Sequence, residues 1–476
     1  MNAAARKRTS PADTLRLRAI PSVDRVMGAL EGVSLPRALV VEAVRRVLGR
    51  LRRSKSAVPD FDEIVAGLGS QLASLERQRI QPVINGTGVL IHTNLGRAPI
   101  AADAVELLNT VAAGYSNLEF DLETGRRGSR ASYLEHALAV LCGGAAVTVV
   151  NNCAAALILI LRNLTAGEAK EVVISRGELV QIGGGFRIPE ILETTGAVLR
   201  EVGTTNRTNL EDYAAAIRPE TAMILKVHRS NFFMEGFVES VGSEELGRLA
   251  ARKRVPFVED LGSGAVVDTA RWAGLRHEPT VQEVFRAGAD LVCFSGDKLL
   301  GGPQSGIIVG SAKRVSALKR DPFFRALRCD KLVLSALQST VDLWLDHGAG
   351  RHGRIGSSGV PWLDQARMGT EELRARAASI IDALKGLPAG LGTAESFSQV
   401  GGGTMPREMI PSVVVEVRPD RIPLTELVER LRLGTPAVVG VLGGQKFCLD
   451  LRTVLPHQDK VLVDALRRTL SAGTEG

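Results

Sequence analysis

The chain has 476 residues, is 45% hydrophobic, and carries 59 Lys+Arg against 52 Asp+Glu, a formal net charge of +7. That apolar content excludes a disordered or fibrous chain, and 50 Gly and 20 Pro without a triplet repeat exclude collagen. No apolar run approaches the roughly 18 residues of a membrane span, and the polar, Arg-rich start lacks a secretory apolar segment, so a cytoplasmic protein with no membrane partner is expected.

Residues 1–14 are polar and are expected to stand outside any core. From Ala19 to Glu76 the pattern reads as short helices. Val40, Val44, Val47 and Leu51 recur at helical spacing, and Arg46, Arg50 and Arg53 fall on another face at the same spacing. Ser54–Asp60 reads as a turn or linker. Residues 1–80 hold 15 basic and 8 acidic side chains, so all the excess positive charge lies there and the remainder is neutral. Arg45, Arg46, Arg50, Arg52, Arg53 and Lys55 follow one another without an intervening acid. Such asymmetry suits a polyanionic partner, and a solvated helical face accounts for the same charge.

From Gln81 the texture changes to short apolar runs alternating with helical stretches. Strands are expected at Ala146–Val150, Glu171–Ser175, Ala197–Val202, Ala222–Val227, Pro256–Glu259, Leu291–Phe294 and Gly306–Val309. This alternation predicts a mostly parallel sheet covered on both faces. The large α/β domain is placed at 81–330, after a basic helical domain and linker over 1–80. A small α+β domain follows over 331–476. Its expected helices are Leu332–Leu345, Glu371–Leu384, Leu424–Leu433 and Asp459–Leu470, with strands at Ser412–Val417, near Val438–Val441 and at Lys446–Asp450. The cysteines Cys142, Cys153, Cys293, Cys329 and Cys448 form no CxxC or His-rich cluster. They read as small buried residues in a reducing compartment, with no disulfide framework or metal site.

The segment from Cys293 to Gly310, CFSGDKLLGGPQSGIIVG, sets Lys298 between a strand and a glycine-rich turn, three residues after Ser295. An amine held there suits Schiff-base chemistry with a carbonyl cofactor, Ser295 suits its phosphate, and a glycine-rich loop with an exposed lysine is the plainer alternative. Asp260 ends the strand of Val258–Gly264, where ligands of open α/β sheets bind. A carboxylate there can pair with the pyridinium nitrogen of pyridoxal phosphate. Asn231 closes the preceding strand and can reach the same cofactor's phenolic oxygen. Val147–Ala156 runs from a strand straight into a helix, whose first amides, at Asn152, Cys153 and Ala154, can cradle a phosphate.

This order of residues resembles the fold-type I, aspartate-aminotransferase-like pyridoxal phosphate enzymes. A closer resemblance is carried by AIPSVDRV from Ala19, INGTGVLIHTNLGRAP from Ile84, ETGRRGSR from Glu123, NNCAAA from Asn151, the Lys298 segment, and FRALRCDK from Phe324. These are similar to the bacterial L-seryl-tRNA(Sec) selenium transferases, the selenocysteine synthases, from about residue 19 to the end of the chain. The chain departs from that pattern at Cys153, where the family carries a third Asn, and at Ala131, where Tyr is usual.

The resemblance implies pyridoxal 5′-phosphate on Lys298, with Asp260 and Asn231 holding its ring. It implies that Lys298 acts as the base, that Arg97, Arg325 and Arg328 bind the anionic donor selenophosphate, and that Arg130 lies in an active-site loop. The implied reaction on seryl-tRNA(Sec) is β-elimination of the seryl hydroxyl to an aminoacrylyl-tRNA, followed by selenium addition. A homo-oligomeric ring of dimers, a homodecamer, is implied by the same resemblance. Two other classes compete: a small-molecule pyridoxal phosphate lyase such as a sugar-acid ammonia-lyase, which needs no basic helical start, and a non-catalytic RNA-binding relative, which needs no Lys298 with Asp260.

Overall fold

A computed structural model describes residues 11–30, 32–144, 146–182, 185–348 and 358–471. Of the polar start expected over 1–14, residues 1–10 lie outside the described residues, and a helix opens at Pro11. The chain divides into two compact units: residues 1–83 with 433–437, and residues 84–432 with 438–476.

Among the described residues the first unit holds four helices, α1 (Pro11–Arg18), α2 (Val23–Ala29), α3 (Arg37–Arg53) and α4 (Phe61–Arg77). α4 starts at Asp60, whose carboxylate accepts from the Glu63 amide while Glu63 reaches back to the Asp60 amide, so two orphan donors are satisfied where a linker was expected. Along α3 the buried stripe is Val40, Val44 and Leu48, with Val47 and Leu51 half-buried beside it. The helical period of 3.6 carries the core contact to Leu48, which a strict reading of the valines passes over. Val44 and Leu48 pack with Val26, Ile64 and Leu68. Arg45, Arg46, Arg50, Arg52 and Arg53 are exposed, and Arg46 pairs with Glu42 one turn back.

In the second unit a seven-stranded sheet runs through β1 (Ala146–Val150), β2 (Glu171–Ser175), β3 (Val198–Val202), β4 (Thr221–Val227), β5 (Phe257–Gly262), β6 (Leu291–Ser295) and β7 (Gly306–Gly310). Its spatial order is β1-β7-β6-β5-β4-β2-β3. Neighbours pair in parallel except at β7, which is antiparallel to both β6 and β1. Apart from the edge strand β3, whose residues are mostly exposed or half-buried, the sheet is buried on both faces, as the β-branched runs require. Val147, Val149, Ile224, Phe257, Val292 and Ile307 face one core layer, while Val150, Met223, Leu225, Val258, Leu291 and Ile308 face the other. The helix Cys153–Leu164 fills the second layer with Ala156, Leu157, Leu159, Ile160 and Leu161.

A second sheet of five strands follows the order Val441–Gly443, Lys446–Asp450, Thr404–Pro419, Ala389–Gly401, Val89–Ile91. Its core is closed by the helices Thr370–Ala383, Leu424–Arg432 and Asp459–Ser471. The edge strand Val89–Ile91 pairs in parallel with the end of Ala389–Gly401, matching Ile91 with Gly401. That pairing joins the turn after Ile91 to the hairpin tip at 401–404. No helix among the described residues is long and apolar enough to cross a membrane.

Candidate active site

The carboxyl ends of β4, β5 and β6 meet the start of the helix Cys153–Leu164 around a cleft of about 240 Å³. Eight of the residues singled out in the sequence line it: Lys298, Asp260, Asn231, Ser295, Asn152, Cys153, Ala154 and Arg97. Register explains the convergence. Val227 pairs with Asp260, Asp260 with Cys293, and Ser295 with Gly306, so these strands end at one level.

Asn152 caps the helix by accepting from the Ala155 amide at 2.8 Å, which leaves the Cys153 and Ala154 amides at the positive end of a twelve-residue helix. The close approach of β7 to this turn needs a glycine, since a Cβ on Gly306 would lie 2.0 Å from the Asn152 carbonyl oxygen. Asp260 is 6% exposed. Burial pushes its carboxyl above the usual range, and the Lys298 cation pulls it partly back. The Cys153 thiol donates to Asp260 Oδ1 at 3.5 Å.

Lys298 is also 6% exposed, and its Nζ donates to the Gly403 carbonyl at 2.9 Å. Burial holds this amine below the ordinary lysine value, which favours the neutral, nucleophilic form. It is the one lysine lining this cleft among the described residues.

Arg97 reaches the cleft from the turn after Ile91. Its φ of +65°, following Gly96 at +91°, is the left-handed conformation that side chains avoid. Its Nη1 donates to Asp297 Oδ1 at 2.9 Å, and the Ala98 amide bonds the Asp297 carbonyl, so Asp297 fixes both the turn and the guanidinium. The Asn231 amide nitrogen donates to the Gln181 carbonyl at 2.8 Å, and His228 Nε2 contacts Glu278 at 2.9 Å.

The other three arginines lie elsewhere. Arg130 and Arg328 line a separate cleft of about 230 Å³ around Glu119. Glu119 takes Arg130 Nη1 at 2.7 Å and Arg127 Nη2 at 2.8 Å, which hold its carboxyl below the usual range, and Arg328 Nη1 stands at 3.7 Å. The Nε atoms of Arg130 and Arg328 are buried without a partner. Arg325 is exposed on the 3₁₀ turn Pro322–Leu327, and Arg328 follows that turn in extended backbone, so the two do not share a helix face.

His228, Ser230, Asp297, Gln304 and Ser305 also line the first cleft. Asp297 and Gln304–Ser305 sit inside the Lys298 segment, where adjacency to the lysine is the available signal. Gly403 carried none, because its approach depends on a hairpin over 300 residues after the Val89–Ile91 strand that positions it.

A family model described as L-seryl-tRNA selenium transferase matches residues 83–455, and one described as selenocysteine synthase N terminal matches residues 17–52. The chain belongs to the L-seryl-tRNA selenium transferase family. The L-seryl-tRNA(Sec) selenium transferase of Geobacter sulfurreducens is 45% identical over 465 residues, covering 95% of this chain and 99% of the relative. That of Aquifex aeolicus is 40% identical over 458 residues, covering 96% and 99%. Among solved structures, a D-glucosaminate-6-phosphate ammonia-lyase superposes with a TM-score of 0.56 at 19% identity, covering 83% of this chain and 97% of that one. This likeness is one of fold. The mostly parallel sheet expected from the strand–helix alternation is present, and the architecture is the fold-type I, aspartate-aminotransferase-like one that the resemblance implied.

Proposed function

We propose that this chain converts L-seryl-tRNA(Sec) to L-selenocysteinyl-tRNA(Sec), with pyridoxal 5′-phosphate as cofactor and selenophosphate as donor. The observation that carries the reading is the convergence of Lys298, Asp260 and the Cys153–Ala154 amides on one cleft in a member of this family. The residues fit the cofactor's handles. The two amides and Ser295 suit its phosphate, buried Asp260 calls for a cationic partner such as a protonated ring nitrogen, and Asn231 suits the phenolic oxygen.

When bound, the cofactor supplies an electron sink that acidifies the seryl α-carbon and loosens the β-hydroxyl. Lys298 would hold the cofactor through its amine and is placed to take the α-proton on Nζ; burial lowers the pKa of that amine and the Gly403 carbonyl aims it. Arg97, fixed by Asp297, presents a guanidinium for the donor's phosphate-like group. Arg328 and Arg130 would act from the Glu119 cleft, where their buried Nε donors lack a partner, and Arg325 from the exposed turn that precedes Arg328.

The tRNA is read as held by the exposed arginines of α3. Exposed Tyr115, Phe120, Leu122 and Tyr133 mark a surface suited to a second copy, consistent with a homo-oligomer built of dimers, a homodecamer. A cytoplasmic location completes the reading. A gel shift with tRNA(Sec), beside conversion of seryl-tRNA(Sec), tests it: an enzyme that takes up the cofactor but neither binds nor converts the tRNA is a small-molecule lyase instead.

A further inference from the structure

Two of the five cysteines meet at the floor of the cofactor cleft. Cys293 on β6 is the register partner of Asp260 on β5, so both side chains leave the same face of the sheet. The helix Cys153–Leu164 packs on that face, and its first residue points its thiol at the same spot. The sulfurs of Cys153 and Cys293 and an oxygen of Asp260 all lie within 4.8 Å of one another. All five cysteines are unbridged, and Cys142, Cys329 and Cys448 stand outside this cluster. Three ligands, with the Lys298 amine lining the same cleft, make a poor metal cage. Two adjacent thiols make a good redox couple.

We propose that Cys153 and Cys293 form a reversible dithiol–disulfide pair, oxidised by a hydroperoxide, whose disulfide disarms Asp260. Cys153 reacts first because it lines the cleft and is half-buried, whereas Cys293 is fully buried. The Cys293 thiol is also held above its ordinary pKa, by its hydrogen bond to Cys153 and then by burial, which makes it a slow first target.

In the first step the Cys153 sulfur takes the terminal oxygen of the hydroperoxide, giving a sulfenic acid and the alcohol (water, from hydrogen peroxide). In the second, the Cys293 sulfur attacks the Cys153 sulfur. The S–O bond breaks, and the departing hydroxide takes the Cys293 proton and leaves as water. The protein loses two protons and two electrons, which a dithiol reductant restores.

The consequence falls on Asp260. The Cys153 thiol is a hydrogen-bond donor to its Oδ1, and a disulfide has no such proton. The same bond draws the first turn of the helix, and the Cys153 and Ala154 amides with it, toward β6. The disulfide itself stands on thiol geometry alone; its effect on the cofactor rests on the function proposed above.

The test uses the full-length holoenzyme, reduced and then treated with hydrogen peroxide. Intact mass under denaturing conditions is expected to fall by about 2 Da, with a peptide pair joining 153 to 293 and recovery on adding dithiothreitol. The visible band of the bound cofactor is expected to shift in step with the fraction joined. Cys153→Ala, at a half-exposed site, should abolish the mass loss, and Cys293→Ser should divert Cys153 to oxygen adducts. Oxygen adducts on Cys153 of the unmodified chain without a 153–293 link, or a link between other cysteines, would overturn the pair. A band that stays put while the link forms would overturn the coupling to Asp260. Seryl-tRNA conversion by the reduced holoenzyme is measured alongside, so failure of the functional reading shows there and not in the mass.

Discussion

Replacing Asp260 with Asn changes one thing at the cleft. The side chain keeps its size, its place at the end of β5 and an oxygen for the Cys153 thiol, but the charge goes. At 6% exposure, little water reaches the site to make up for that loss. A hydrogen bond to a charged group is worth about 1.5–3 kcal/mol net and a neutral one about 0.5–1.5, so about 1–1.5 kcal/mol of cofactor binding is at stake. That is roughly a tenfold loss of affinity. The rate is expected to fall further, on the order of 10²–10³, because a neutral amide does not stabilise charge developing in the ring. Removing the carboxylate also removes one of the charges that oppose burial at Lys298, so that amine moves further down. Titration of the apoenzyme by visible absorbance gives the affinity, and rapid-quench exchange of the seryl α-proton at saturating cofactor gives the rate. An unchanged exchange rate in the saturated mutant would refute Asp260 as the ring's partner.

Other changes separate the remaining roles. Lys298→Ala should abolish turnover and the covalent cofactor band, because no other lysine lines the cleft among the described residues; near wild-type conversion would reassign the amine. Cofactor capture by the wild type should stay fast well below the ordinary lysine pKa, since burial lowers that of Lys298, and acid should slow it only once the depressed value is passed. A capture rate falling tenfold per unit from about pH 10 downward would show an ordinary, exposed amine instead. Gly403→Ala must hold a side chain at φ +89° with its Cβ 3.3 Å from Lys298 Nζ, so thermal unfolding should report a loss of about 1–2 kcal/mol, with slower capture. Deleting residues 1–76 should weaken tRNA binding and flatten its salt dependence while the second unit keeps its cofactor; equal affinity at equal ionic strength would move the tRNA surface to the neutral part of the chain.

Much of the fold is written in local patterns. The seven strands of the large sheet stand within two residues of their expected starts; all but the edge strand Val198–Val202 are apolar runs buried on both faces, which leave a continuous trace. The strand Ala389–Gly401 left no such trace. Its thirteen residues include three glycines, few β-branched side chains and mostly exposed or half-buried positions, so its pairing with Thr404–Pro419 along its length, and with Val89–Ile91 at its end, makes it a strand. The consequence reaches the site, since Gly403 at that hairpin's tip receives the Lys298 hydrogen bond. Lys298, Asp260 and the Asn152–Ala154 turn were legible because each ends a strand or opens a helix. The Glu119 cleft was not: Glu119 meets Arg130 across the short hairpin that pairs Phe120 with Arg127, and Arg328 through tertiary packing that spacing along the chain does not show.

The central claim is that the cleft around Lys298 exchanges the seryl hydroxyl of a tRNA-borne serine for selenium. The most direct measurement supplies the full-length protein, pyridoxal phosphate and selenophosphate with tRNA(Sec) carrying radiolabelled serine, and identifies the amino acid released on mild alkaline deacylation. Labelled selenocysteine is expected from the wild type and labelled serine alone from Lys298→Ala. Serine alone from the cofactor-loaded wild type, or selenocysteine from both, would contradict that claim.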